Sequence, residues 1–302
     1  MEMTPNITTT PDYVLLLGAS GRLGQECAAL MQDAGIALQT PSRLETTIEN
    51  LADLLAARPP AMIVNAAAFT DVDAAESHRT VAARINADLP AALAKMANML
   101  DIRLIHISTD FVFSGQADSP YREDDETGPI NWYGTTKRDG ERAVMMMDHR
   151  AIILRTAWLH GNRRPCFIQA IAQRLGNGEM VEAIADRYGS PTSAAALAGQ
   201  IVTLCQRVLA GDDIPSGIFH ASGVGAASPF DIALEIAGLM GVDRNLVVPV
   251  SASDRQERAL RPDFCALDCQ KMTDFLGLRC QPWQAGVAHT VLQSNINVRR
   301  VA

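Results

Sequence analysis

The chain has 302 residues, 48% of them hydrophobic and 20% charged, which is the balance of a folded globular protein and excludes a disordered one. Its 34 acidic against 26 basic side chains leave a net charge of −8, which excludes a general nucleic-acid binder, because that needs a basic face to displace phosphate counterions. No apolar run reaches the ~18 residues of a membrane helix, so no membrane partner is expected.

Residues 1–12 are polar and Thr-rich with no basic start, so they read as a loose tail and not a secretion signal. Tyr13–Leu17 is a short apolar run bounded by Gly18, the pattern of a buried parallel strand. Leu23–Asp33 has helical spacing and stops near Gly35. The spacing then predicts a strand over Ala37–Thr40, a helix over Ile48–Ala57 and a strand over Ala61–Asn65. A long Ala-rich helix over Val81–Leu100 follows, then a strand over Arg103–Ser108, a helix over Tyr133–Asp148 and a strand over Ala151–Thr156. Strand–helix alternation at this pitch predicts an α/β fold, a doubly wound parallel sheet of the Rossmann kind.

Beyond Trp158 the rhythm loosens. Phe167–Leu175, Ala194–Leu209, Phe230–Met240 and Trp283–Leu292 read as helices, and Val181–Ile184 and Ile218–Ala221 as strands. The expected organisation is a dinucleotide-binding domain over 1–160, to which 181–219 returns. A smaller α/β substrate lobe would use 161–180 and 220–302. The six cysteines form no C-x-x-C pair and most lie in apolar contexts, which predicts reduced, structural thiols and a cytoplasmic location. His106, His160 and His220 form no spaced ligand set. Asp71, Asp73 and Glu76 read as a solvated acidic loop, because nothing supplies the other oxygens a hard cation requires. No metal is expected.

Gly18-Ala19-Ser20-Gly21-Arg22-Leu23-Gly24 joins the first strand to the first helix. Gly18 allows the tight turn, Gly21 lets backbone approach a pyrophosphate, and Gly24 lets the helix lie close to the sheet. Exposed N–H groups at a helix start, Ser20 and Arg22 among their residues, attract an anion. The glycine spacing alone is weak; its position between strand and helix makes it a dinucleotide signal. The second strand ends without the acidic residue that holds a ribose 2′-hydroxyl. Ser42 and Arg43 suit a 2′-phosphate instead, which predicts NADPH, with NADH the alternative. Tyr133 and Lys137 stand four apart on one helix face. A phenol with a pKa near ~10 becomes a usable proton donor when an ammonium lowers it, and Lys137 can also reach the hydroxyls of a cofactor ribose.

This combination resembles the extended short-chain dehydrogenase/reductases, in which a Ser or Thr at the end of the fourth strand joins the Tyr and Lys; Ser108–Phe113 occupies that place and offers Thr109. Within that superfamily the chain is similar over almost its full length to the dTDP-4-dehydrorhamnose reductases. The resemblance rests on Val64–Glu76 (VNAAAFTDVDAAE), Ser108–Gly115, Tyr133–Glu141, Arg155–Trp158, Asp186–Thr192, Arg261-Pro262 and Pro282-Trp283-Gln284. It implies reduction of a 4-keto deoxysugar nucleotide by NAD(P)H, with Thr109, Tyr133 and Lys137 catalytic. It places Ala66, Ala67 and Ala68 along the cofactor, and Thr109, Asp110, Phe111, Val112 and Trp158 around the sugar. Arg261 becomes a partner for the diphosphate, and a homodimer is one arrangement of the chains. Phe111 replaces the family's usual Tyr and Cys265 its usual Ser, which bears on substrate identity more than on chemistry. Thr109-Asp110-Phe111 lacks the Glu that a related dehydratase uses as base, which argues for simple reduction. Two alternatives stand beside this: a different 4-keto-6-deoxy sugar, or a non-catalytic NADP-binding subunit similar to that of methionine adenosyltransferase.

Overall fold

Five consecutive apolar residues have no polar face to turn to water, so the first strand needs cover on both sides. Strand β1 (Tyr13–Leu17) is buried throughout. Val14 and Leu16 enter one core, and Tyr13, Leu15 and Leu17 the other. The same alternation recurs in β3 (Met62–Asn65), β4 (Arg103–Thr109) and β5 (Ile152–Thr156). With β2 (Ala37–Gln39) and β9 (Gly217–His220) they make one six-stranded parallel sheet, ordered β2-β1-β3-β4-β5-β9.

The computed structural model describes residues 13–294 except 44 and 46; the segment read as a loose tail lies outside the described residues. Helices α1 (Arg22–Asp33), α8 (Ala194–Leu209) and α10 (Gln270–Leu276) cover one face of the sheet. Helices α2 (Ile48–Ala57), α5 (Leu89–Met99) and α6 (Trp132–Met147) cover the other. The doubly wound parallel sheet predicted from the sequence is therefore present. The chain leaves β1 for β2 on one side and returns to β3 on the other. This reversal opens a crevice above the carboxyl ends of β1 and β3, where ligands of such sheets sit.

A third core lies beyond the sheet. Helices α7 (Phe167–Gly176), α9 (Pro229–Met240) and α11 (Trp283–Gln293) pack with a small parallel pair, β7 (Val181–Ile184) and β10 (Val247–Val250). The pairing corrects one boundary: residues 181–184 belong to this small sheet, and the chain rejoins the large one only afterwards. Strand β10 escaped the sequence because Pro249 interrupts a four-residue run, which an edge position tolerates. A second small pair, β6 (Leu159–His160) with β8 (Thr192–Ser193), is too short to leave a pattern.

The predicted helix over 81–100 is three pieces. Short α3 (Val72–Ala75) and α4 (Arg79–Ala83) precede a π-helical turn at Arg84–Asp88, which runs into α5. Pro90 causes the break: it has no N–H for the carbonyl of Asn86, and its ring crowds that oxygen. The displaced carbonyl packs against α6, where a Cβ at Gly140 would lie 2.1 Å from it.

Under the sheet end, Arg155 and Glu141 form a bidentate ion pair at 2.8 and 2.9 Å with both side chains 3% exposed. Removing one partner strands the other charge in the interior. Glu141→Ala should lose ~3–5 kcal/mol of unfolding free energy in urea titration.

Candidate active site

Gly18 has φ +78°, and a Cβ there would lie 2.6 Å from backbone atoms of Ala66 and Ala67. No other residue allows the β1–α1 turn to approach the end of β3 so closely. The Gly21 amide closes the turn on the Gly18 carbonyl at 2.8 Å, and a Cβ at Gly24 would strike that carbonyl at 2.1 Å. Helix α1 starts at Arg22 with no side-chain cap and no acidic residue in its first turn. Its first N–H groups remain available to an anion, so the crevice fits a pyrophosphate. Ser20 is exposed beside it, Leu23 and Gly24 are buried, and Ala66–Ala68 are half-buried along its wall.

The Arg22 side chain is elsewhere. Its guanidinium donates to the carbonyls of Arg164 at 2.7 Å and Pro165 at 2.8 Å, clasping the loop that leads to α7. Only its backbone faces the anion position. Ser42 and Arg43 lie exposed after β2, and the Ser42 amide donates to the Glu45 carboxylate at 2.7 Å. That loop therefore carries an acid beside the residues read as phosphate ligands.

The predicted catalytic residues gather at the carboxyl end of β4. Asn131 caps α6 by accepting the Gly134 amide at 2.8 Å, which starts the helix just ahead of Tyr133. Gly134 is required there, since a Cβ would meet the Phe111 carbonyl at 2.1 Å. The half-buried Tyr133 ring packs edge-on against Phe111, 5.7 Å between centroids. Burial pushes its phenol up to about 12, opposed by a hydrogen bond with the Thr109 side chain. The Thr109 hydroxyl donates to Asp110 Oδ1 at 2.9 Å. Asp110 is buried, its Oδ2 has no partner, and burial raises its carboxyl to about 7.

Lys137 corrects one expectation. It is 1% exposed, and its Nζ donates to the Ile107 carbonyl at 2.6 Å and lies 3.3 Å from His106 Nε2. Burial lowers the amine to about 8, with the Glu141 charge acting against that. The Tyr133 phenol therefore lies above its ordinary value and not below it, because desolvation dominates both groups.

The substrate residues separate into two groups. Thr109, Asp110 and Phe111 lie together at the end of β4, the first two buried. Val112 does not line it: its side chain is wholly buried in a small core with Phe113, Tyr121, Cys265 and Leu267. Trp158 has φ +42°, rare for a bulky side chain, and its indole lies over Gly189, where a Cβ would sit 2.5 Å from Cε2. Strain of this kind persists where the surroundings impose it, often at functional sites. Arg261 is held by Asp73 at 2.8 and 3.1 Å, which keeps that carboxyl down at about 2. A diphosphate would compete with Asp73 for it.

The acidic loop is not simply solvated. Asp71 caps α3, Asp73 holds Arg261 and the Ala259 amide, and Glu76 accepts the Trp132 amide at 2.7 Å. Sequence reading also missed Asn86. Its side chain bonds the Phe69 amide at 2.8 Å and the Thr136 hydroxyl at 3.1 Å, fixing α6 against the β3 loop. Its signal was Pro90 four residues on. Among the described residues, no three His, Cys, Asp or Glu side chains cluster as a metal site.

The family described as the RmlD substrate binding domain matches residues 12–296. The chain belongs to this family. It is 37% identical over 258 residues to a dTDP-4-dehydrorhamnose reductase of Streptomyces griseus, covering 84% of each chain. It is 35% identical over 259 residues to a probable dTDP-4,6-dihydroxy-2-methyloxan-3-one 4-ketoreductase of Streptomyces antibioticus, covering 84% of this chain and 85% of that one. The crystal structure of a Bacillus anthracis dTDP-4-dehydrorhamnose reductase in complex with NADP superposes with a TM-score of 0.84 at 29% identity, over 94% of this chain and 100% of that one.

The raised Asp110 carboxyl sets a pH dependence. Unfolded, the group titrates near ~3.9; folded, at about 7. Below the first value it is neutral in both states. Between the two, the folded protein retains a proton that the unfolded chain releases, and above 7 it must bury the charge. Through this group the wild type loses stability as pH rises from 4 to 7, against the opposite trend of the buried His106, His160 and His220. Asp110→Asn should exceed wild type in denaturant midpoint at pH 8, and that advantage should vanish near pH 4.

Proposed function

We propose that the protein reduces the C4 keto group of a deoxysugar nucleotide with NAD(P)H, most directly dTDP-4-dehydro-L-rhamnose to dTDP-L-rhamnose. The observation that carries this is the meeting of Thr109, Asp110 and Tyr133 at the end of β4, two strands from the glycine cradle. When bound, the reduced nicotinamide supplies a hydride. The α1 N-terminus, Gly18, Gly21 and Ala66–Ala68 hold the cofactor's backbone. Tyr133 donates a hydrogen bond to the sugar carbonyl and gives its proton to the oxygen, and Thr109 joins it by turning its one hydroxyl proton from Asp110 Oδ1 to the carbonyl. Its high pKa keeps the phenol protonated and ready to donate at neutral pH.

In this reading the large-sheet layer binds the cofactor, and the lobe built on the third core takes the sugar nucleotide. NADPH is the preferred cofactor through Ser42 and Arg43. Glu45 beside them supports use of NADH as well, since a carboxylate suits a 2′-hydroxyl. Free thiols at all six cysteines fit a cytoplasmic setting, and a homodimer is the partner arrangement to be tested by sedimentation. No helix among the described residues is long and apolar enough to cross a membrane.

A different 4-keto sugar is the second reading. It is favoured by Phe111, which presents an edge to Tyr133 and no hydroxyl to the pocket. The third reading, a binding subunit without chemistry, fits poorly with Thr109, Tyr133 and Lys137 retained together.

Purified protein should consume NADPH with dTDP-4-dehydro-L-rhamnose, and Tyr133→Phe should lower kcat ~10²-fold with little change in cofactor affinity. Cofactor binding without turnover on any keto-sugar nucleotide would leave the binding-subunit reading. Turnover of another 4-keto sugar alone would favour the second.

A further inference from the structure

Asn65, His106 and Lys137 form a buried chain that the reaction scheme does not use. Asn65 ends β3 and His106 lies beside it in register on β4. Asn65 is 1% exposed and His106 fully buried, in strands whose other members are mostly apolar. The chain has a direction. The Ala67 amide donates to Asn65 Oδ1 at 3.2 Å, which leaves Asn65 Nδ2 to donate to His106 Nδ1 at 3.1 Å. His106 Nδ1 is then an acceptor and carries no proton. A histidine desolvated this fully and set beside Lys137 is neutral, so its one proton must sit on Nε2. Nε2 is the atom 3.3 Å from Lys137 Nζ.

An N–H aimed at an ammonium is repelled; aimed at an amine, it finds a lone pair. We infer that His106, locked in the Nε2–H tautomer by Asn65, is a positioning residue whose N–H weakens the hold of Lys137 on its proton in the cofactor-free protein. Lys137 meets no carboxylate directly: Glu141, one turn along α6, is bound by Arg155. Asp110 acts on Tyr133 and not on Lys137. When Lys137 gives up that proton its amine accepts from Nε2–H, and in either state Nζ donates to the Ile107 carbonyl, which fixes its position. The consequence for catalysis rests on the reductase reading; the protonation state of Lys137 does not.

The chain has three lysines, at 95, 137 and 271, so the side-chain nitrogens of 15N-lysine-labelled full-length protein give three titration curves. Loss of one in Lys137→Arg assigns the curve of interest. In the wild type it should turn at or below pH 8. In His106→Phe the acid dissociation constant should fall about tenfold, moving the curve to higher pH, because the opposing N–H is gone. A curve that moves to lower pH would mean that Nε2 had accepted from an ammonium, and an unmoved curve would mean no coupling; either overturns the inference. Should His106→Phe not fold, 15N-histidine spectra of the wild type decide it. One proton on Nε2 at neutral pH supports it; one on Nδ1, or two protons, defeats it. These signatures in a protein that reduces no keto-sugar nucleotide would defeat the reductase reading alone. Where turnover is present, a displaced pH profile of kcat in His106→Phe with an unchanged KM for the sugar nucleotide marks positioning. A uniform loss at every pH marks mere packing, against the inference.

Discussion

Removal of water from the ends of β3 and β4 governs the site. His106, Asp110, Tyr133 and Lys137 are each displaced toward their uncharged forms, and burial is the largest cause in all four. A residue pair read in isolation suggests an ammonium activating a phenol. The folded protein instead weakens charge on every member of the cluster, by desolvation first. Such a cluster is costly unless its members are partnered, and Asp110 Oδ2 is the member left without a partner.

Around that cluster the fold works by close approach. Gly18 lets the first turn touch the end of β3, Gly134 lets α6 touch Phe111, and Gly140 accepts the carbonyl that Pro90 displaces. The two lobes are tied at the edges of the crevice by charged contacts: Arg22 on the loop before α7, and Asp73 on Arg261.

Much of this was legible in the residues. The apolar run Tyr13–Leu17 and its fellow strands, the three glycines and the Tyr133–Lys137 spacing led to the sheet, the crevice and the helix that brings Tyr133 to Phe111. What escaped notice was set by tertiary partners. Nothing local reveals that Arg22 turns to a loop 140 residues away, that Val112 points into a core, or that Asp73 is claimed by Arg261. The fragmented helix over 79–99 was readable from Pro90, whose effect reaches back four residues to Asn86. His106 was visible as a polar residue in an apolar strand, but its role depends on an asparagine that only register brings alongside.

Trp158 and Gly189 have an evolutionary consequence. The indole occupies the space that a methyl at 189 would need, and the backbone at 158 is already in a conformation costly for any side chain but glycine. Neither position can drift alone: enlarging 189 expels the ring, and shrinking 158 leaves a void over Gly189. Lineages that changed either residue would have had to replace both codons together, so the two sites should covary across descendants.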